Sequence, residues 1–418
     1  MAVAQGSLTS SLSDETIRNL DKVLRTARAY FGMDVAFVNE FLGPGRVFRS
    51  VDGLSAGPVR QGGVIPLATA YCRRVVEGQL PELVSNTMES PARVFSETHE
   101  IPIGAHMCVP IRLASGQSFG TFCCFSYLTN PTLGERELQV MRAFAEILAR
   151  EIDRDVRTVR EGQRRLRRLS QAIEAGDPQI IFQPICRLSD GRITGVEALS
   201  RFSTDPATPP DVWFVEAEAA GIGTEFELLA IRKAVAAAAE LPTDLTLSLN
   251  ASPTTLLDPK LAEALEPLAG ERIVIEITER RPVGDYDVFR SAIAPLRSRG
   301  VRIAIDDAGA GYSSLRHVLE VKPDVIKLDI SLTHEIDRDP TRYALGAGLM
   351  AFARLTGTGI VAEGIEGAGE LSTLRRLGIE RGQGYYLSRP LTMPTFLELL
   401  ERSRGQMGNL APIAALSA

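Results

Sequence analysis

The sequence has five cysteines, an odd number with no CxxC pair, so neither a disulfide framework nor a structural zinc site is suggested and the thiols are expected to be reduced and mostly buried. No stretch approaches the roughly 18 apolar residues of a membrane span. Met1 to Leu20 lacks the basic and then apolar pattern of a secretory signal, so the chain is read as cytoplasmic, with no membrane insertion. Nor is there an excess of positive charge: the net charge is -6 and the pI is near 5.5, which argues against a nucleic-acid polymer as partner. A small anionic substrate held by metal ions remains compatible with that balance. With 44% hydrophobic residues, wholesale disorder is not expected.

What is present is material for two cores in 418 residues. Residues 1–14 are small and polar and read as a flexible N-terminus. A helix is expected to begin near Asp14, with the Asp14 side chain capping Thr16 and Ile17. From Asp34 to about Leu148 short apolar runs alternate with turns, Ala114 to Gln117 reading as a hairpin connection. A helix then presents Leu138, Met141, Phe144, Ile147 and Leu148 on one face. This predicts an α+β domain over 15–150, an antiparallel sheet flanked by helices. Residues 151–176 form a basic helical linker in which Ile152, Val156, Val159, Leu166 and Ile173 keep heptad-like spacing, interrupted by Gln163 and Ser170. A coiled contact across a homodimer and a solvated helix on its own chain both fit.

Residues 177–405 change character, to short strands alternating with helical stretches, before a flexible tail over 406–418. Strands are expected near 180–188, 193–201, 245–250, 273–278, 301–306, 325–329, 359–363 and 382–387, with a surface loop over Pro206 to Pro210. Eight strands with intervening helices predict an α/β fold, a (β/α)8 TIM-type barrel. An open doubly wound sheet is the alternative, but no Gly-rich phosphate loop follows the first strand.

Alternation along each strand then sorts the side chains. Leu245, Leu247 and Leu249 turn outward and Thr246, Ser248 and Asn250 inward. Ile273, Ile275 and Ile277 oppose Val274, Glu276 and Thr278, and Val301, Ile303 and Ile305 oppose Ala304 and Asp306. Ile326 and Leu328 oppose Val325, Lys327 and Asp329; Ile360 and Ala362 oppose Val361 and Glu363; Glu197 and Arg201 share one face. Each strand sends a polar group inward near its C-terminal end, where barrel active sites lie.

Any one of these is explicable as a satisfied core polar group. Together, Glu197, Glu276, Asp306, Asp307 and Glu363 would place five carboxylates around one cavity, which repulsion forbids without protons or cations. All the predicted donors are oxygens, so hard ions such as Mg2+ or Mn2+ fit better than zinc. Adjacent Asp306 and Asp307 suggest two ions, and such pairs serve in-line displacement at phosphorus. Arg201 suits a phosphate oxygen, and Lys327 an attacking water.

These residues sit in QPI (183–185), EALSR (197–201), NAS (250–252), EITE (276–279), DDAGAGYSSL (306–315), KLD (327–329), AEGIE (362–366) and QGY (383–385). Together, from about 178 to 403, they resemble the EAL family of cyclic di-GMP phosphodiesterases. The resemblance implies hydrolysis of cyclic di-GMP to linear pGpG. Glu197, Asn250, Glu276 and Asp306 would hold one metal, and Asp306, Asp307 and Glu363 the second. It further implies that Lys327 engages the catalytic water, that Gln183, Arg201 and Gln383 contact substrate or support the site, and that Glu279 steadies the loop after the fifth strand.

One departure from the family is that Ala308 and Ala310 replace a phenylalanine and a threonine in the loop that couples the metal site to a dimer interface. The N-terminal half resembles GAF domains through its element order and through CVPIRLASGQSFGTFCCFS (108–126). Cys72, Cys108 and His106 can be read there as a chromophore, haem or redox site, but a lone histidine beside apolar residues reads as a core residue, and no ligand is named. Three functions follow: a phosphodiesterase regulated by the GAF-like domain, a catalytically weak receptor for cyclic di-GMP, or a barrel acting on another phosphodiester.

Overall fold

The computed structural model of the chain describes residues 12–53, 59–67, 70–90, 102–277, 284–308 and 312–405. It divides into two compact units, Met1–Gln163 and Arg164–Ala418.

The first unit opens with α1 (Asp14–Phe31), whose cap is Ser13 rather than Asp14: its hydroxyl accepts from the Thr16 amide at 3.2 Å. Ser13 keeps the extended backbone of a cap position, whereas Asp14 is already helical and serves the dipole in the first turn. Strands β1 (Val35–Leu42), β2 (Gly45–Gly53) and β3 (Val64–Pro66) precede α2 (Tyr71–Val76), and β4 (Leu83–Val84), β5 (Ala105–Arg112) and β6 (Ser118–Ser126) follow it. They form an antiparallel sheet in the order β3-β2-β1-β6-β5-β4, with β5 and β6 joined by the expected hairpin.

The sheet carries apolar residues on both faces. Met107, Val109, Phe122 and Cys124 pack on one side with Leu20 and Leu24 of α1. Helix α3 (Glu135–Glu174) adds Leu138, Met141 and Leu148 to that core, but Ile147 points outward, 53% exposed. Ile147 therefore leaves the predicted apolar face. The helix runs unbroken through residue 150, and Ile152 and Val156 are buried in the same core instead of lying on a free heptad stripe. Val159, Leu166 and Ile173 are each about two-fifths exposed.

In the second unit β7 (Gln179–Arg187) and β8 (Ile193–Arg201) lead to α4 (Pro210–Ala219) and α5 (Gly223–Ala237). The expected loop ends at Pro209, because Pro210 takes the first helical position, where its missing N–H costs nothing. Then come β9 (Thr246–Ala251), α6 (Pro253–Leu256), α7 (Lys260–Leu265), β10 (Ile273–Ile277), α8 (Tyr286–Ser298), β11 (Arg302–Ala308), α9 (Tyr312–Val321) and β12 (Val325–Leu328). The unit ends with α10 (Ile330–Thr333), α11 (Pro340–Thr356), β13 (Gly359–Ala362), α12 (Ala368–Leu377), β14 (Arg381–Gly382) and α13 (Met393–Gly405).

Its eight strands close into a barrel, ordered β10-β11-β12-β13-β14-β7-β8-β9. The barrel departs from the uniform (β/α)8 pattern at its first strand: β7 runs antiparallel to both β8 and β14. The cause is local. Only Leu188 to Arg192 connect β7 to β8, with Gly191 left-handed at φ 76°, and a parallel crossover needs a dozen or more residues.

The alternation holds. Leu247, Leu249, Ile273, Ile275, Ile277, Ile303, Ile305, Ile326 and Ile360 join the core beneath the helices, while Ile185, Val274, Ala304, Val325 and Val361 form a separate cluster inside the barrel. That inner plug fills one end and leaves the polar residues beyond it to define the other. Asp329 is an exception to the inward set: its carboxylate caps α10, accepting from Ser331 N at 2.9 Å. Truncating the fully buried Ile275 to alanine should cost the barrel about 2–5 kcal/mol, seen as a lower urea midpoint; an unchanged midpoint would mean that the outer layer is not packed as described.

Candidate functional site

Lys327 arrives on β12 facing the barrel interior and is 1% exposed. Its ammonium lies 2.6 Å from Glu276 Oε2, 2.8 Å from Glu363 Oε1, 3.1 Å from Asp306 Oδ1 and 3.4 Å from Glu197 Oε2. Four of the five carboxylates expected to converge therefore do so around one cation, each delivered by a different strand end.

The fifth, Asp307, is set by a β-bulge. Register between β11 and β12 slips between Ile305 and Ala308, and Asp307 adopts φ 52°, a left-handed conformation costly for a residue other than glycine. The bulge breaks the alternation that would have sent Asp306 and Asp307 to opposite faces. One carboxylate oxygen each from Asp306, Asp307 and Glu363 then lie within 4.8 Å of one another.

The neighbours orient this cluster. Asn250 Nδ2 donates to Glu197 Oε1 at 2.9 Å, and Gln383 Nε2 donates to Glu197 Oε2 at 2.6 Å and to Glu363 Oε1 at 3.0 Å. Gln183 stands opposite Glu197 in the β7–β8 register, buried and on the inward face of β7 with Ile185. Gly364, left-handed at φ 63°, turns the chain after Glu363, and a Cβ there would meet Ile330 Cγ1 at 2.3 Å. Glu279 and Ala310 lie outside the described residues, as does the side chain of Ala308.

Charge in the cluster is unevenly shared. Burial opposes ionisation of Lys327, but the surrounding carboxylates hold it well above the ordinary lysine range. Burial likewise opposes the charge on Glu197, yet Lys327 and the bonds from Gln383 and Asn250 leave its carboxyl below the usual range. At Glu276 burial prevails over Lys327, aided by Glu197 and Asp306, and its carboxyl lies well above that range. Burial also pushes Glu363 up to about 8. One ammonium thus cannot compensate five carboxylates, and the surplus is a demand for protons or cations.

The donor set fits divalent cations. It is all oxygen apart from Lys327, and among the described residues Gln383 Oε1 is buried without a hydrogen-bond partner. Asp306 Oδ1 also lacks one, facing the ammonium without hydrogen-bond geometry. Glu197, Asn250, Asp306 and Asp307 face a cavity of about 690 Å3, which Arg201 also lines. Lys327, Glu276 and Gln383 are buried below this floor. The size is that of small-molecule sites, about 300–1000 Å3.

Sequence reading missed the walls of the cavity. Asp211, Phe214, Val215 and Glu218 come from α4 and Glu227 from α5. Glu227 accepts from both the amide and the hydroxyl of Ser252 at 2.9 Å, fixing the chain two residues beyond Asn250. The Ser252 hydroxyl in NAS was the only sequence hint of such a partner. Arg168, on the last turns of α3, stacks 4.2 Å over Trp213 and reaches Glu216 at 2.8 Å and Asp205 at 2.9 Å, holding α4 from behind.

Residues 166–390 match the model of the EAL domain, and residues 15–152 that of the GAF domain. The chain belongs to the EAL domain family. An uncharacterized signaling protein of Caulobacter vibrioides is 31% identical over 263 residues, 61% of this chain and 32% of that protein. The cyclic di-GMP phosphodiesterase NbdA of Pseudomonas aeruginosa is 30% identical over 248 residues, 56% of this chain and 32% of that one. Among solved structures the PaMucR phosphodiesterase in complex with c-di-GMP is similar, 26% identical with a TM-score of 0.51, over 56% of this chain and 99% of that one. The EAL chain spans about a third of the length of those two curated relatives. Among its described residues no helix is long and apolar enough to cross a membrane.

Because Lys327 is, among the described residues, the one cation touching these four carboxylates of the EAL barrel, Lys327→Met should destabilise the protein in EDTA by about 3–5 kcal/mol, as breaking a buried pair does. A denaturation midpoint equal to wild type would mean that protonation alone neutralises the cluster.

Proposed function

We propose that the chain hydrolyses cyclic di-GMP to linear pGpG with two divalent cations, Mg2+ or Mn2+. The observation that carries this reading is the convergence of Glu197, Glu276, Asp306, Asp307 and Glu363 beneath a cavity at the C-terminal end of the barrel strands. Asp306, Asp307 and Glu363 would hold one ion, and Glu197, Asn250, Glu276 and Asp306 the other. When bound, such ions neutralise charge on phosphate and lower the pKa of water.

The chain's own residues do the rest. Gln383 ties Glu197 to Glu363, so one ligand from each ion's set is oriented by a single amide. Arg201 lies on the cavity wall with its guanidinium donating to the Ser200 carbonyl at 2.8 Å, and it would take a phosphate oxygen. Lys327 keeps positive charge below the floor, where it favours the ionised form of the ligands, and would engage the attacking water. Gln183 supports Glu197 from the adjacent strand.

We assign regulation to the GAF-like domain over 15–150, joined by the basic helix over 151–176 to the barrel over 177–405. A homodimer in the cytoplasm completes the reading, with the exposed Val159, Leu166 and Ile173, spaced seven apart, as the stripe a second copy would cover.

Purified protein given cyclic di-GMP with Mg2+ or Mn2+ should release linear pGpG, and EDTA should stop it. Glu197→Ala should lower turnover by more than about 100-fold, and Gln383→Ala by about 10–100-fold, as loss of an outer-shell partner does. Binding without cleavage in the presence of Mg2+ or Mn2+ would overturn the hydrolase in favour of a receptor, and cleavage of only other phosphodiesters would overturn the substrate.

A further inference from the structure

The sheet of the first unit gathers a second set of ligand-type side chains. Cys108 on β5 and Cys123 on β6 are directly opposed in the antiparallel register, and alternation turns both to the face away from α1. Cys72, from α2, packs onto the same face. The Cys72 and Cys123 sulfurs lie 3.4 Å apart, the Cys123 and Cys108 sulfurs 3.1 Å apart, and all three within 4.8 Å of one another. Three thiolates around one ion at about 2.3 Å would stand about 4 Å apart, so the cluster needs to open by less than about 1 Å.

Packing of small apolar residues does not account for what surrounds the sulfurs. Arg46, 6% exposed, donates from Nη1 to Cys72 Sγ at 3.0 Å. Its neighbour Arg49 has a carboxylate partner, Glu40 at 2.6 Å, but among the described residues Arg46 has none and its Nε lacks a hydrogen-bond partner. A buried cation needs an anion, and a neutral thiol is a weak acceptor. Asn39, fully buried, directs Nδ2 to Cys72 Sγ at 3.5 Å, and the Thr121 hydroxyl lies 3.2 Å from Cys123 Sγ. The arginine aimed at sulfur is an observation independent of the cysteine cluster, and it calls for negative charge there.

We propose that Cys72, Cys108 and Cys123 bind one soft monovalent cation, Cu(I), with Arg46 as counter-charge. Three sulfurs suit a three-coordinate cuprous ion, whereas zinc takes four ligands and hard ions prefer oxygen. On binding, thiol protons pass to solvent as three Cu–S bonds form, and copper stays cuprous. Three thiolates and one Cu(I) carry two negative charges, of which the guanidinium offsets one.

The test uses the whole reduced chain, anaerobic and saturated with Mg2+, titrated with Cu(I) held by a bathocuproine chelator. One Cu(I) per chain should leave the chelator, with thiolate-to-copper absorption in the near ultraviolet and three sulfur neighbours by X-ray absorption. Cys72→Ser and Cys123→Ser should each weaken binding more than about 10-fold, since losing a ligand costs at least what losing an outer-shell partner does. Cys186→Ser, on the barrel, should not. Failure to compete with the chelator, retention of binding in Cys72→Ser, a sulfur count other than three, or preference for Zn2+ would each overturn the site. Circular dichroism checks each variant, and where Cys123→Ser does not fold the wild-type sulfur count decides.

Discussion

The barrel's polar end depends on one buried ammonium. Lys327 touches Glu197, Glu276, Asp306 and Glu363, and each of these carboxylates is brought to it by a separate strand, so one side chain ties β8, β10, β11 and β13 together electrostatically. Such an arrangement is weak evidence of stability, because the cost of taking four acids and one base out of water offsets their attraction. What it provides is a cavity floor with negative charge in excess and a fixed geometry. The raised carboxyls of Glu276 and Glu363 and the lowered one of Glu197 are two sides of that excess: burial outweighs Lys327 at the first two, while Lys327 with the bonds from Gln383 and Asn250 outweighs burial at the third.

Geometry at the floor comes from irregularity. In a regular strand Asp306 and Asp307 would diverge; the slip in register and the left-handed Asp307 bring both to Glu363. The local cost, on the order of 1–3 kcal/mol, is borne by the layers below. Ile303 and Ile305 lock β11 against the helices and Ala304 locks it against the inner plug. A rigid lower barrel with a strained upper rim is how a fold holds a conformation its local sequence disfavours.

Much of this was legible from period-two alternation alone. Leucines and isoleucines on one parity and acids on the other are enough to decide which side chains meet, because a strand offers only two faces. Reading failed where a different interaction governed. The antiparallel β7 follows from the five-residue connection Leu188 to Arg192, a signal present in the sequence but overridden by the expectation of a uniform barrel. Ile147 has the spacing of a core residue, yet the 40-residue helix offers more apolar positions than its partners cover. Glu227 and Cys123 were invisible as site residues for a common reason: their partners, Ser252 and Cys72, are distant in sequence, and no periodicity reports a contact between elements.

The cavity walls obey another logic than its floor. The floor is built on strand ends, whereas α4 supplies Phe214, Val215 and Glu218 to one wall and is held on its other side by Arg168. Trp213 contacts that guanidinium and stacks on Phe202, with ring centroids 4.6 Å apart. Leu169 and Ala172 of the same helical turns are buried against this aromatic group. The last turns of α3 are therefore structural support for one wall and make no contribution to the carboxylate cluster. That wall and the carboxylate floor therefore rest on separate elements, helix packing for the one and strand ends for the other.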